Sequence, residues 1–134
     1  VDSFSVLVVD DERDFLQALV ARLSLRKLNA AGVDNGLAAL EHLDKAPVDV
    51  VVLDLKMPGM DGLQVLDEIK RRDPKVEVVI LTGHGSVESG MEGVSRGAFA
   101  YLIKPVKIDE LLEKIVKAYE WKQTNQTLPR EEDI

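Results

Sequence analysis

The chain has 134 residues, no cysteine, and a net charge of −7 from 24 acidic against 17 basic residues. That length makes one compact domain, able to bury roughly two-thirds of its unfolded surface without covalent staples. The missing cysteines exclude disulfides, thiolate metal sites and cysteine nucleophiles, and an acidic balance without a basic stripe argues against direct binding of nucleic acid.

Hydrophobic residues make up 46% and charged residues 31%, the balance of an ordinary soluble globular protein. Apolar runs such as 48–53 are far too short to span a bilayer. No charged-then-apolar leader opens the chain, and the expected compartment is a reducing cytoplasm with no membrane contact. Val1 in place of Met leads us to expect a trimmed or processed chain.

Residues 4–9 form a short β-branched and apolar run that stops at Asp10-Asp11. Phe15, Leu16, Leu19, Val20 and Leu23 then recur at helical spacing. A weaker extended piece, 28–33, ends at the turn pair Asn35-Gly36. The next helix carries Leu37, Leu40 and Leu43 on one side and breaks before Pro47. The run 48–53 is the clearest strand, almost all β-branched, as expected for a strand buried on both faces, and it ends on Asp54. A loop with Pro58, Gly59 and Gly62 leads to a helix with Leu63, Leu66 and Ile69, closed near Asp73-Pro74.

Residues 76–81 make a fourth strand, ending at Thr82. The segment 86–96 predicts a poor helix, since Gly90 and Gly93 each cost about 1 kcal/mol relative to alanine. Residues 99–103 form a fifth strand that ends at Lys104-Pro105. The last helix, about 108–121, turns Leu111, Leu112, Ile115, Val116 and Tyr119 inward and places Asp109 and Glu110 where the helix dipole favours negative charge. From Lys122 to residue 134 the polar composition predicts a linker or frayed tail. No internal repeat is present. Five strands alternating with five helices predict a doubly wound α/β fold, a parallel sheet covered on both faces.

Folds of this kind bind ligands beyond the carboxyl ends of their strands. Those ends carry Asp10 and Asp11, Asp54, Thr82 and Lys104. Crowded carboxylates repel one another unless a cation joins them, and a hard divalent ion with oxygen ligands, Mg²⁺, suits the set. Phosphoryl transfer needs an in-line nucleophile, a metal, and donors or cations around the equatorial oxygens. Asp54 suits the nucleophile, Lys104 the cation and Thr82 the hydroxyl donor, although residue types alone do not choose Asp54 over Asp10 or Asp11. Each residue also has a plainer reading: Asp10 and Asp11 as helix caps, Asp54 as a turn-starting acid, Thr82 as a strand end, Lys104 as a surface lysine, Tyr101 as a half-buried strand aromatic. Their joint placement at one sheet edge favours the site.

The runs Val8-Val9-Asp10-Asp11-Glu12, Leu53-Asp54-Leu55-Lys56-Met57-Pro58-Gly59-Met60-Asp61-Gly62, Leu81-Thr82-Gly83 and Tyr101-Leu102-Ile103-Lys104-Pro105 resemble the receiver domains of bacterial two-component response regulators. The resemblance covers about residues 4–121 and leaves 122–134 as a tail or linker. It implies a flavodoxin-like sheet of order 2-1-3-4-5, and Asp54 as the phosphoacceptor. It also implies Mg²⁺ held directly by Asp11 and Asp54, by Asp10 largely through water, and by the Lys56 carbonyl. Lys104 and Thr82 match the phosphate-contacting pair, Tyr101 the switch aromatic, and Lys104-Pro105 a cis peptide. The implied partners are a histidine kinase or phosphotransfer protein as donor and an output domain or downstream protein as target. A homodimer formed through the glycine-rich helix, last strand and last helix is a further implication. Apart from the resemblance, His84 reads first as a solvated loop histidine, while its place two residues past Thr82 suggests a second reading, in which Lys56 and His84 flank the phosphate and tune its lifetime.

A signalling domain rather than an enzyme is therefore expected, catalysing only its own phosphotransfer and hydrolysis. A phosphatase of the haloacid-dehalogenase type would need a second acid two residues after Asp54, where Lys56 stands. An inert receiver-like module would lack the acids or Lys104. No glycine-rich nucleotide loop occurs.

Overall fold

The computed structural model describes residues 3–83 and 87–127. The elements alternate in chain order: β1 (Ser5–Val9), α1 (Arg13–Leu25), β2 (Asn29–Val33), α2 (Gly36–Lys45), β3 (Val50–Leu53), α3 (Gly62–Arg72), β4 (Glu77–Thr82), α4 (Val87–Ser95), β5 (Ala100–Ile103) and α5 (Ile108–Thr127). All strand pairs are parallel, in the order β2-β1-β3-β4-β5.

Period-two alternation sorts the strand residues into two cores. Leu7, Val9, Val51, Leu53, Val78 and Ile80 face α2 and α3, where they meet Ala39, Leu40, Val65, Leu66 and Ile69. Val6, Val8, Val50, Val52, Val79 and Leu81 face α1 and α5, against Leu16, Leu19, Leu23, Leu111, Ile115 and Ala118. The three inner strands are thus buried on both sides, which is why they read as unbroken β-branched runs. Strands β2 and β5 lie at the edges and are only part-buried.

Local signals explain the boundaries. Asn35, expected as half of a turn pair, is the N-cap of α2, its side chain accepting from Ala38 N at 2.8 Å. Asp61 caps α3 by accepting from Leu63 N, and Asp73 closes it before Pro74. Leu37, grouped by its spacing with Leu40 and Leu43 on one side of α2, is 63% exposed. Small Gly36 and Ala39 take the buried arc with Leu40 and let the helix sit close to its neighbours.

The glycines of α4 have a packing reason as well as a propensity cost. A Cβ at Gly90 would lie 2.6 Å from Tyr101 Cδ2, and one at Gly93 would run into the end of the Ile80 side chain. At Gly90, where the ring and the Cβ of Tyr101 both lie in the way, glycine lets α4 seat this closely over β5; at Gly93 only the end of the Ile80 side chain would have to move.

The expected end of the last helix at 121 is corrected: α5 continues to Thr127. No Gly or Pro interrupts this stretch, and tertiary contacts hold its start. Lys122 Nζ lies 3.0 Å from Asp49 Oδ1, with its side chain only 12% exposed. Asp49 Oδ2 in turn accepts from Ser5 N at 2.9 Å. One turn earlier the rings of Tyr119 and Phe4 stack at 4.1 Å, tilted by 3°.

Glu77 opens β4 as a buried acid. Burial holds its carboxyl above the usual range, outweighing the attraction of Lys70 and Lys122. A carboxylate with a raised folded pKa supports folding fully below its unfolded pKa and loses that support as pH rises through the folded value. Glu77→Gln should therefore stabilise the protein at pH 7, by on the order of 1 kcal/mol. The gain should disappear below the ordinary glutamate pKa of about 4.3. Urea melts of both proteins at neutral and acidic pH check the sign.

Candidate functional site

Two ladder bonds carry the sheet one residue past its strands and place the chemistry. Beyond the Val9↔Leu53 pair, Asp54 N donates to Val9 O at 3.0 Å, so Asp54 follows β3 beside Asp10, which follows β1. Beyond the Thr82↔Ile103 pair, Lys104 N donates to Thr82 O at 2.7 Å, bringing Lys104 alongside Thr82. Four residues far apart in sequence thus meet at one edge. The Lys104-Pro105 peptide is cis, as the resemblance implied.

Asp54 and Asp10 are both buried, and Thr82 is fully so. Asp54 Oδ1 accepts from Thr82 Oγ1 at 2.9 Å and from Lys56 N at 3.1 Å. Asp54 Oδ2 accepts no hydrogen bond among the described residues, and Lys104 Nζ stands 3.8 Å away. The same ammonium bonds Asp10 Oδ2 at 2.7 Å and Glu12 Oε1 at 3.1 Å. Its remaining side faces the Phe15 ring, 4.3 Å from the centroid.

The electrostatics follow from burial. Removal from water pushes the Asp10 carboxyl above its usual range, against the pull of Lys104 and the Glu12 N–H. Burial pulls the Lys104 ammonium down, but its bonds to Asp10 and Glu12 outweigh this and hold it above its usual range. Asp10, Glu12 and Asp54 offer carboxylate oxygens that all lie within 4.8 Å of one another. One lysine against three carboxylates leaves negative charge uncompensated, a donor set that fits a hard divalent cation.

The expected residues do not all converge. Asp10, Asp54, Thr82 and Lys104 do. Asp11 is half-exposed in the loop after β1 and lies outside the carboxylate trio, where Glu12 joins instead. Neither Asp10 nor Asp11 caps α1. Its N-cap is Glu12, without a side-chain cap bond, while Asp10 Oδ1 accepts from Glu12 N at 2.9 Å. Lys56 points its backbone N–H at Asp54 and exposes its side chain. Tyr101 is half-buried against the α2–α3 core, away from the carboxylates and under α4. His84 lies outside the described residues. Sequence reasoning gave no role to Glu12 or Phe15. A third consecutive acid at the end of β1 was the available signal for Glu12; Phe15 carried none beyond its place on a helix face.

The family model for the response regulator receiver domain matches residues 6–116. The chain belongs to the receiver-domain family of response regulators. The DNA-binding transcriptional regulator NtrC of Escherichia coli K12 is 38% identical over 121 residues, covering 88% of this chain and 26% of that protein. A putative NtrX-like response regulator of Rickettsia bellii is 38% identical over 117 residues, 86% of this chain and 24% of the relative. Among solved structures, NtrX from Brucella abortus superposes with a TM-score of 0.89 at 31% identity, over 93% of this chain and 29% of that one. A receiver domain from Clostridium thermocellum gives 0.86 at 33% identity, over 91% of this chain and 98% of the other. The chain spans about a quarter of the length of the curated relatives it matches. It is a receiver domain of the two-component signalling type, with the flavodoxin-like topology of that family. Among the described residues no helix is long and apolar enough to cross a membrane.

Removing the Thr82 hydroxyl should unmask its role in holding the receiver's buried acid. Thr82→Val keeps the shape but strips a donor from Asp54, so a loss of about 1.5–3 kcal/mol is expected, as for hydrogen bonds to charged groups. Denaturant titration of the two proteins measures it; an unchanged midpoint would show that Thr82 Oγ1 does not matter to the resting state.

Proposed function

We propose that Asp54 accepts a phosphoryl group and that the domain switches conformation in response. The observation that carries this reading is the asymmetry of the Asp54 carboxylate. Oδ1 is fixed by Thr82 and Lys56 N, while Oδ2 accepts no hydrogen bond among the described residues and faces Lys104 Nζ at 3.8 Å. A carboxylate fixed through one oxygen, with the other held only by a loose ion pair, is an oriented nucleophile.

Mg²⁺ fits the excess of carboxylates; Asp10, Asp11, Asp54 and the Lys56 carbonyl would hold it, with Glu12 in reach of the same space. Bound there, the ion would neutralise charge on the phosphoryl oxygens. The chain's own residues do the rest. Asp54 attacks phosphorus in line, forming the acyl–phosphate bond as the bond to the donor breaks, and the donor atom leaves with the electron pair of that bond. Lys104 would exchange Glu12 for a phosphoryl oxygen, and Thr82 would turn its hydroxyl from Asp54 to another. Lys56, exposed at the mouth, and His84 are proposed to tune hydrolysis of the product. The domain then has only self-directed chemistry, its own phosphorylation and dephosphorylation.

A histidine kinase or phosphotransfer protein is the proposed donor, and the cytoplasm the proposed compartment. The receiver region is taken as 4–121, although α5 runs beyond it. NtrC, a relative, is a DNA-binding transcriptional regulator; an output module of that kind, outside this chain, is the proposed target, with no nucleic-acid contact by the receiver itself. The signalling face proposed is α4, β5 and α5. Val87, Met91 and Val94 recur there at helical spacing with exposures of 47%, 58% and 40%, an apolar stripe suited to a partner or a homodimer. Tyr101 touches α4 at Gly90, so a shift of one requires a shift of the other.

Intact mass after incubation with acetyl phosphate and Mg²⁺ tests the acceptor. One phosphoryl adduct is expected, absent in Asp54→Asn and without metal; an adduct that survives Asp54→Asn would refute the assignment. For the switch, amide exchange in α4 and around Tyr101 should change on binding beryllofluoride, and equal protection in both states would refute it.

A further inference from the structure

We propose that Phe15 is a positioning residue that holds the Lys104 ammonium toward Asp54 through the face of its ring. The inference rests on the acceptor reading above and adds a residue to it. Lys104 ends a flexible four-carbon stem, and its charge is a compact point that water would draw outward. Three carboxylates hold it, Asp10 at 2.7 Å, Glu12 at 3.1 Å and Asp54 at 3.8 Å. The Phe15 ring lies against it as well, with Nζ 4.3 Å from the centroid. The Lys104 side chain is left 15% exposed.

The ring offers more than a wall. Its face carries the negative lobe of the aromatic quadrupole and attracts a cation that lies within about 6 Å of the centroid. An aliphatic side chain of similar bulk would fill the space without that attraction. Phe15 stands in the first turn of α1, half-buried against the core that α1 and α5 share, so contacts other than Lys104, which follows β5, also hold its ring. The attraction is also broad across the ring face. Nζ could therefore leave Glu12 for a phosphoryl oxygen while staying under the ring, whereas a fixed hydrogen-bond partner would hold it back.

Leucine separates packing from attraction, and tyrosine restores the ring. Time courses of phosphorylation by acetyl phosphate with Mg²⁺ are compared for the parent chain, Phe15→Leu, Phe15→Tyr, Lys104→Ala and the Phe15→Leu/Lys104→Ala double variant. Phe15→Leu should slow the reaction roughly three- to tenfold, and Phe15→Tyr should return most of the rate. In the Lys104→Ala background the leucine substitution should change nothing further, because the cation it acts on is gone. Independently of phosphorylation, the ε-methylene protons of Lys104 should show an upfield ring-current shift in the parent and in Phe15→Tyr that Phe15→Leu abolishes. Parent-like kinetics in Phe15→Leu, an equal slowing with and without Lys104, or no ring-current shift in the parent would each overturn the proposal. If Lys104→Ala reacts too slowly to time, tyrosine rescue and the proton shifts decide. A parent chain that takes no phosphoryl group on Asp54 would instead remove the acceptor reading, and this inference with it.

Discussion

The site is governed by two acids set side by side at the ends of adjacent parallel strands. The register of β1 on β3, extended by the bond from Asp54 N to Val9 O, leaves Asp10 and Asp54 no room to separate. Both are buried, and a buried charge must be bonded or paired. Thr82, Lys56 N and Lys104 meet that demand in part, and each is delivered by a neighbouring strand end or the loop after β3. With helices over both faces of the sheet, the strand ends are the edge left open for chemistry. A fold that covers its β-branched strands this completely confines function to one rim.

The inner strands were legible because burial on both faces leaves an unbroken apolar run, and its polar terminators stand out. Asp10, Asp54, Thr82 and Lys104 were found in that way, and all four meet. Strand order came from the family resemblance; the alternation of elements supports a parallel sheet without ordering it. Harder to read was the place of Glu12, the third acid of the run, which reaches Lys104 from an exposed position and brings a carboxylate near Asp10 and Asp54 while its own N–H donates to Asp10 Oδ1. The length of α5 was hidden for a similar reason. Residues 122–127 look like a polar tail until Lys122 finds Asp49, 73 positions earlier. Long-range pairing leaves no periodic trace in the sequence.

Glycines in α4 show a different limit. Propensity reads Gly90 and Gly93 as defects in a helix, and the cost is real. The structure adds what it allows, a helix lying so close to Tyr101 and Ile80 that a Cβ would force those side chains to move. Weak intrinsic helicity and a close seat then belong to one design. The helix is held by its fit to the sheet more than by itself, so a change in the sheet beneath is felt directly.

The two ends of the sheet are accordingly braced in different ways. Away from the acidic rim, Asp49 joins Lys122 to Ser5, and Phe4 stacks on Tyr119, so the later turns of α5 are fixed to the starts of β1 and β3. Toward the other edge, Thr82 and Lys104 sit on neighbouring strand ends, Tyr101 pairs with Ile80 across those strands, and Gly90 and Gly93 rest on these same two side chains. A rearrangement at Asp54 that draws on Thr82 and Lys104 would meet the Asp49–Lys122 pair and the Phe4–Tyr119 stack in one direction, and in the other a glycine-seated helix tied at its end by Arg96 to Asp67 at 3.0 Å. On the switch reading proposed above, β4, β5 and α4 would carry the change to the exposed stripe of Val87, Met91 and Val94.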